Sequence, residues 1–496
     1  MATARLRQKS PRPAKQQVAA APLPLVLDLD GTLVRGNLLV ETACAFLRQF
    51  PLKALMLLVW LVRGRAVLKQ ELARRADVDV EALPLNDELI AYAAGQAAEG
   101  RPVHIATAAD RCIAEQVARR IPFISGVLAS DGRVNLKGAN KARQLAERFP
   151  DGFDYAGDAR ADLAVWRVAR HAVVVEATRS VLLAAGRVSQ VAKIFPRPSM
   201  LSAFLKALRL HQWAKNMLVF VPLVLSGKLG DQSAVMACVA TFFAMGLIAS
   251  STYIVNDVLD LADDRRHWSK RERPLASGRL PLLAGLSAVP FGVALGFGLA
   301  AFAGPGVTAV LVAYVAATLA YSLKLKKVPI LDGFALAGLF TIRLGAGVLA
   351  SGAPPSPWLL VFSMFLFCSL SFAKRFTEVA RVIERGGSEI RGRGYKAGDL
   401  PLILAVGIAT GMCSVLILVL YIIDFAFVQS FYGNTYWLWG FPVVIFLFIC
   451  RIWLMCQRGE MNDDPVVFAV KDRPSLGLAT VLGVCFFAAW SGVPLL

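Results

Sequence analysis

Two stretches of the chain gather acidic residues at spacings that chemistry can use. In VLDLDGTLV, Asp28 and Asp30 stand two apart behind a short apolar run. In IVNDVLDLADDRRHWSKRERP, Asp257, Asp260, Asp263 and Asp264 close a long apolar run, and Arg265, Arg266, Lys270, Arg271 and Arg273 follow at once. Carboxylates can hold a divalent metal, and cations beside a metal can hold phosphate. Both stretches point to phosphate chemistry.

At the end of a strand, carboxylates at i and i+2 can divide labour. One attacks phosphorus to form an aspartyl phosphate, and the other moves protons for the leaving group and for water. An anion attacks a phosphate only when a cation neutralises it. GDARAD offers the acidic pair Asp158 and Asp162, HIATA ends in the Thr107 hydroxyl, and GANKARQL carries Lys141, with Lys137 just before it.

The second stretch reads as the end of a helix. At about 100° per residue, Asp260 and Asp264 lie roughly 60° and 20° from Asp257, and Asp263 about 120° away. Three like charges on one face repel unless a cation sits among them. Hard oxygen ligands favour Mg²⁺, which also binds substrate phosphates. Arg343 is a separate case, because it stands in the middle of an apolar stretch. A charge there costs roughly 2.5–3.5 kcal/mol on insertion scales, so it is expected to line the polar substrate cavity, or else to sit in a purely structural intramembrane pair. Asp332 lies on the same helical face but about 16 Å away, too far to pair.

The elements that must position these residues fall into two halves. The chain has 496 residues, is 56% hydrophobic and carries a formal charge of +19. That combination describes a membrane protein with cationic loops and not a soluble nucleic-acid binder. The eight cysteines form no CxxC or Cys/His cluster, which argues against a zinc site or a disulfide framework. Residues 1–21 read as a basic flexible tail. From 22 to 190, short apolar runs alternate with helix-like segments, the rhythm of a parallel sheet in an α/β domain. LKALMLLVWLV at 52–62 is too short to span a bilayer; it reads as a buried helix of this domain, or else as a foot on the membrane. Residues 191–212 read as a linker and an amphipathic helix on the inner membrane surface.

Beyond lie nine apolar stretches of bilayer length, near 213–230, 233–256, 282–302, 306–323, 329–351, 357–373, 400–423, 437–456 and 476–495. The loops after the second, fourth, sixth and eighth hold 6, 3, 7 and 3 Lys/Arg, and the alternate loops hold almost none. Positive loops stay inside. The expected protein is multi-pass, with the N-terminal domain cytoplasmic and the C-terminus outside.

VLDLDGTLV, HIATA, GANKARQL and GDARAD, in that order, resemble the four motifs of the haloacid dehalogenase superfamily of phosphohydrolases. The resemblance implies a Rossmann-like domain with a helical cap at about 36–100. It implies Asp28 as nucleophile, Asp30 as acid/base, Thr107 and Lys141 on the phosphate, and Mg²⁺ at Asp28, Asp30, Asp158 and Asp162.

Asn256, Asp257, Asp260 and Asp264 form N-D-x-x-D-x-x-x-D, which resembles the first aspartate-rich motif of the UbiA superfamily of intramembrane prenyltransferases. The resemblance implies an all-α bundle of nine transmembrane helices over 213–496. That superfamily's second motif, DxxxD, keeps only Asp332 here, because position 336 is Leu. RLHQWAKN, KRERP, LKKVP and FAKRFTE are similar to a branch that transfers 5-phosphoribose from phosphoribosyl pyrophosphate to polyprenyl phosphate, the decaprenyl-phosphate phosphoribosyltransferases. The substrate phosphates then fall to Lys215, Lys270, Arg271, Arg273, Lys324, Lys326, Lys374 and Arg375. Asn256, Tyr321, Asp332 and Arg343 complete the implied pocket, with a second Mg²⁺ at Asp257, Asp260 and Asp264.

These features imply a bifunctional enzyme of the bacterial inner membrane, whose fused phosphatase removes the 5-phosphate to give a sugar-donor precursor for envelope glycans. Membrane lipid is a partner, a homo-oligomer is allowed, and nucleic acid is excluded. The alternatives are an aromatic or other UbiA-type prenyltransferase whose phosphatase acts on an unrelated phosphate, and a non-enzymatic lipid transporter with a regulatory domain.

Overall fold

The computed structural model describes residues 22–50, 53–130, 136–389, 393–428, 431–461 and 464–494. The basic tail and Leu496 lie outside these residues. The chain divides into two compact units, Met1–Ser199 and Met200–Leu496.

In the first unit, β1 (Leu25–Leu27) is followed by α1 (Leu38–Gln49), α2 (Ala54–Val62), α3 (Arg65–Arg75) and α4 (Asp87–Ala98). Then come β2 (Val103–Asp110), α5 (Arg111–Arg119), β3 (Ile124–Ser130), α6 (Ala139–Arg148), β4 (Asp154–Gly157), α7 (Leu163–Trp166), β5 (His171–Val175), α8 (Arg179–Val188) and β6 (Gln190–Phe195). The strands make one parallel sheet in the order β3-β2-β1-β4-β5-β6. Side chains alternate across a strand, and the sequence uses that alternation. Leu25, Leu27 and Ile105 pack on one face with Leu89 and Ala93 of α4 and Val117 of α5. Val26, Tyr155 and Val174 pack on the other with Leu145 of α6, Trp166 of α7 and Ala185 of α8. The α/β expectation holds.

Three boundaries move. The segment from 191, expected as linker, is β6, paired in parallel with β5 from Val191 onward. The expected cap at 36–100 is too long, because α4 belongs to the layer that covers the sheet. What remains is a three-helix excursion, α1 to α3, with its own small core of Phe46, Trp60, Leu68 and Leu72. Finally, α2 is not a buried helix: Trp60 is buried, but Leu55, Leu58 and Val62 are 73%, 60% and 89% exposed.

The second unit opens with α9 (Met200–Leu208), whose Ala203 and Ala207 are buried while Leu201 and Leu205 are exposed. A 3₁₀ segment, Leu210–Val219, runs into α10 (Phe220–Leu225). The long helices are α11 (Gln232–Leu259), then, after the short α12 (Leu261–Arg266), α13 (Leu282–Ala303), α14 (Pro305–Leu323), α15 (Leu331–Ser351), α16 (Pro357–Glu384), α17 (Leu400–Asp424) and α18 (Gly440–Gln457). The short α19 (Pro465–Lys471) precedes α20 (Arg473–Ser491).

Eight helices among the described residues are long and apolar enough to cross a membrane, not nine. The stretch at 213–230 differs because most of it is wound as 3₁₀, and hydropathy does not distinguish windings. At about 2.0 Å per residue in 3₁₀ and 1.5 Å in α, Leu210–Leu225 still extends roughly 29 Å, close to the thickness of a hydrocarbon core. It packs tightly on α15: a Cβ on Gly347 would lie 2.2 Å from the Val219 carbonyl oxygen. Small residues of this kind let membrane helices approach closely. The protein is a multi-pass membrane protein.

Candidate active sites

In the α/β unit the carboxylates gather at the C-terminal edge of the sheet, where ligands of open α/β folds bind. Asp28 directly follows β1, and its Oδ1 accepts from the Leu29 N–H and from Lys141 Nζ, both at 2.8 Å. Lys141, projecting from α6, is buried; Lys137 is exposed. Lys141 also donates to the Tyr155 hydroxyl at 2.8 Å, which donates to Asp162 Oδ1 at 3.0 Å. The other oxygen of Asp162 accepts from the backbone N–H groups of Asp158 and Ala159. Thr32 donates to Asp158, and Gly31 is obligatory: its φ is +76°, and a Cβ would stand 2.5 Å from an Asp158 oxygen.

Burial and mutual repulsion shape the electrostatics. Burial, offset by Lys141 and reinforced by Asp162, pushes the Asp28 carboxyl up to about 7. Burial, then Asp162 and Asp28, push Asp158 up to about 8. Burial also raises Asp30, against the hydrogen bond from the Leu38 N–H at 2.7 Å. Oxygens of Asp28, Asp158 and Asp162 all lie within 4.8 Å of one another, which suits a hard divalent ion. Asp30, expected among the metal ligands, is not in that group and holds the first turn of α1. Thr107 is buried, and its hydroxyl accepts from the Ala109 N–H at 3.0 Å.

In the membrane unit the acidic face of the opening stretch is bent. The helix α11 ends at Leu259, and Asp260 (φ −94°, ψ 8°) is the hinge before α12. Asp257 and Asp264 still converge, because both accept from Arg273 Nη1, at 3.1 and 2.5 Å. Arg209 also reaches Asp257 at 2.5 Å. Asp260 instead takes Lys326 Nζ at 2.5 Å and the Asn256 amide at 3.2 Å. The expected three-carboxylate cluster is therefore not formed; among the described residues the trio of the α/β unit alone meets that test. Asp257 and Asp264 fit a divalent ion as a pair, since they already share one counter-charge. Asp263 is exposed, as the helical spacing requires.

A second constellation surrounds Asp332. It is fully buried and accepts from Arg375 Nε and the Tyr395 hydroxyl, each at 2.5 Å, with Arg393 at 3.6 Å. Arg375 and Arg393 share Glu378 and the Tyr321 hydroxyl. Lys270 lies where burial and then Arg273 lower its ammonium pKa, with Arg393 also pressing on it.

Other expected residues lie elsewhere. Lys215 pairs with Asp464 at 2.7 Å. Arg271 and Lys324 are exposed, and Arg271 lies 3.9 Å from Glu272. Lys374 projects from α16 beside Arg375 and Glu378. Arg343 is buried and donates to Asn216, to the Leu339 carbonyl and to the Tyr314 hydroxyl, a neutral polar knot and not a carboxylate pair.

Sequence reasoning missed Tyr155, Arg209, Tyr395, Arg393 and Lys69, whose ammonium donates to the Ala108 carbonyl at 3.3 Å. Arg209 opens RLHQWAKN, a motif already quoted but given no role for this residue, and the charge of Arg393 in the positive loop after FAKRFTE was the other available signal. Tyr155 and Tyr395 gave none, because their hydroxyls matter only through burial.

Residues 217–471 match the UbiA prenyltransferase family. Protein y4nM of Sinorhizobium fredii is 38% identical over 94% of this chain and 91% of its own length. Nodulation protein NoeC of Azorhizobium caulinodans is 33% identical over 57% of this chain and 92% of its own. The decaprenyl-phosphate phosphoribosyltransferase of Mycolicibacterium smegmatis is 37% identical over 40% of this chain and 63% of its own, so the match leaves over a third of that enzyme uncovered. With half of its length matching the family and a relative similar almost end to end, this chain belongs to the UbiA prenyltransferase family.

Proposed function

We propose that the membrane unit transfers 5-phosphoribose from phosphoribosyl pyrophosphate to a polyprenyl phosphate, and that the α/β unit is a haloacid dehalogenase-type phosphatase that removes the 5-phosphate from the product. The observation that carries the first half is the condition of Asp332. Arg375, Tyr395 and Arg393 saturate it, so the second pole of the site offers cations for phosphate where a second metal would otherwise be held. The similarity to decaprenyl-phosphate phosphoribosyltransferases supports the same donor.

In this reading Asp257 and Asp264 hold Mg²⁺, which supplies neutralising charge for the departing pyrophosphate. Arg273 and Lys326 give up their carboxylates and turn to the donor's phosphates. Lys270, Lys374 and Arg393 hold the remaining phosphate groups. An oxygen of the lipid phosphate attacks C1, the C1–pyrophosphate bond breaks, and the anomeric centre inverts.

In the α/β unit Asp28 attacks the 5-phosphorus, and Asp30 delivers a proton to the departing ribose oxygen. Water, deprotonated by Asp30, then releases phosphate from Asp28. Lys141 orients the nucleophile, and Mg²⁺ at Asp28, Asp158 and Asp162 supplies neutralising charge on the phosphate. The positive loops favour the cytoplasmic side of a bacterial inner membrane for this chemistry.

The test uses the full chain in vesicles with polyprenyl phosphate and labelled phosphoribosyl pyrophosphate. Mass analysis should find polyprenyl-phosphoryl-ribose from the native protein and a product heavier by one phosphate from Asp28→Asn. Identical masses would overturn the coupled reaction. Label entering lipid only from a prenyl diphosphate would overturn the donor.

A further inference from the structure

We infer that α2 is a membrane foot: its outer face inserts into the headgroup region of an anionic bilayer. The helix is apolar along its whole length, ALMLLVWLV, and its two faces have different fates. Met56, Leu57 and Trp60 lie at roughly 100–200° from Leu55 and pack on the small core of the excursion. Leu55, Leu58, Val59 and Val62 fall at i, i+3, i+4 and i+7, within an arc of about 100°, and all four are exposed. Elsewhere in the α/β unit large exposed apolar side chains stand singly, such as Val168 and Leu183. A contiguous stripe of this size marks an interaction surface.

The charge around the stripe selects the occupant. Residues 37–76 hold seven Lys/Arg against two acids, Glu41 and Glu71. Lys53 and Arg63 bracket the helix, and both are exposed. Arg75 stacks over the Trp60 ring at 5.0 Å, which keeps a third cation at the base of the foot. An apolar face rimmed by cations is the pattern of a helix lying in the interface of an anionic leaflet. A protein partner would need an equally apolar face rimmed by acids. The same chain also carries eight membrane-length helices, so a bilayer is always at hand.

This assignment does not depend on either proposed reaction. The test places a photoreactive benzoylphenylalanine at Leu58 or Val62 of the full-length protein, in vesicles of phosphatidylglycerol and phosphatidylethanolamine. Both positions are exposed, so the fold tolerates the change. Lipid adducts should form at both positions, several-fold more than in pure phosphatidylcholine. A control at Gln116, exposed on α5, should give few. Crosslinks to residues 200–496, to a second copy of the chain or to no partner would overturn the inference. So would equal lipid labelling at Gln116, or equal yield in the two kinds of vesicle.

Discussion

The two acidic sites differ in their charge balance. At the sheet edge Asp28, Asp158 and Asp162 crowd together around a single cation, Lys141. In the acidic motif of the membrane unit three aspartates are already paired: Asp257 with Arg209 and Arg273, Asp264 with the same Arg273, and Asp260 with Lys326. The first site is short of positive charge, and burial and mutual repulsion raise its carboxyls. The second is balanced, and its surroundings at Lys270 and Arg393 add further cations. A charge-poor site recruits a bare metal ion. A balanced site ringed by cations waits for an anion that brings its metal along.

The sharpest break between the two sites comes from their proposed nucleophile and metal positions. Asp28→Asn should lower phosphate release by roughly 10⁴-fold or more, the scale on which loss of a covalent nucleophile acts. Transfer should be unchanged, and separate assays of the two activities on one preparation decide this. Conversely, Asp257→Asn or Asp264→Asn should lower transfer by roughly 10²–10³-fold, the effect of losing charge stabilisation at a leaving group, and spare phosphate release. Asp263→Asn should change either rate less than about twofold. Equal damage at Asp263 and Asp264 would show that the bent acidic face is not the site.

Stability offers a second contrast. Arg375→Met leaves Asp332 buried without its main counter-charge and should cost roughly 3–5 kcal/mol in an unfolding assay. Asp332→Leu combined with Arg375→Met should regain most of that stability yet remain inactive in transfer. Recovery of activity in the double variant would mean the pair is structural.

The charge-poor site predicts a pH signature near neutrality. Its carboxyls stand near 7 and 8 when folded, against 3.8 for the ordinary group. A raised carboxyl stabilises the fold most fully below its unfolded pKa, and that stabilisation is lost as pH rises through the folded value. The metal-free α/β unit should lose roughly 4 kcal/mol between pH 6 and 8. Saturating Mg²⁺ should remove the loss, as followed by thermal unfolding of the full chain. A pH-independent melting point without Mg²⁺ would break the comparison.

Much of this was legible because it rests on spacing. Asp28, Lys141 and Asp158 sit at strand and helix ends that local pattern marks, and the helical count correctly turned Asp263 outward. The rest depends on distance in space. Whether Asp257, Asp260 and Asp264 converge is set by a hinge at Asp260 and by cations from three other segments. Hydropathy found the apolar stretch at 213–230 but not its winding, and found α2 but not which of its faces is covered.

The winding of Leu210–Val219 carries a mechanical consequence. A 3₁₀ helix advances about 120° and 2.0 Å per residue, and an α-helix about 100° and 1.5 Å. Relaxing these ten residues to α would shorten the segment by roughly 5 Å and unwind it by about half a turn. Lys215 on Asp464 and Asn216 on Arg343 could not both survive that rotation. With Trp213 on Ser250 and Val219 against Gly347, these contacts brace the segment in its longer winding.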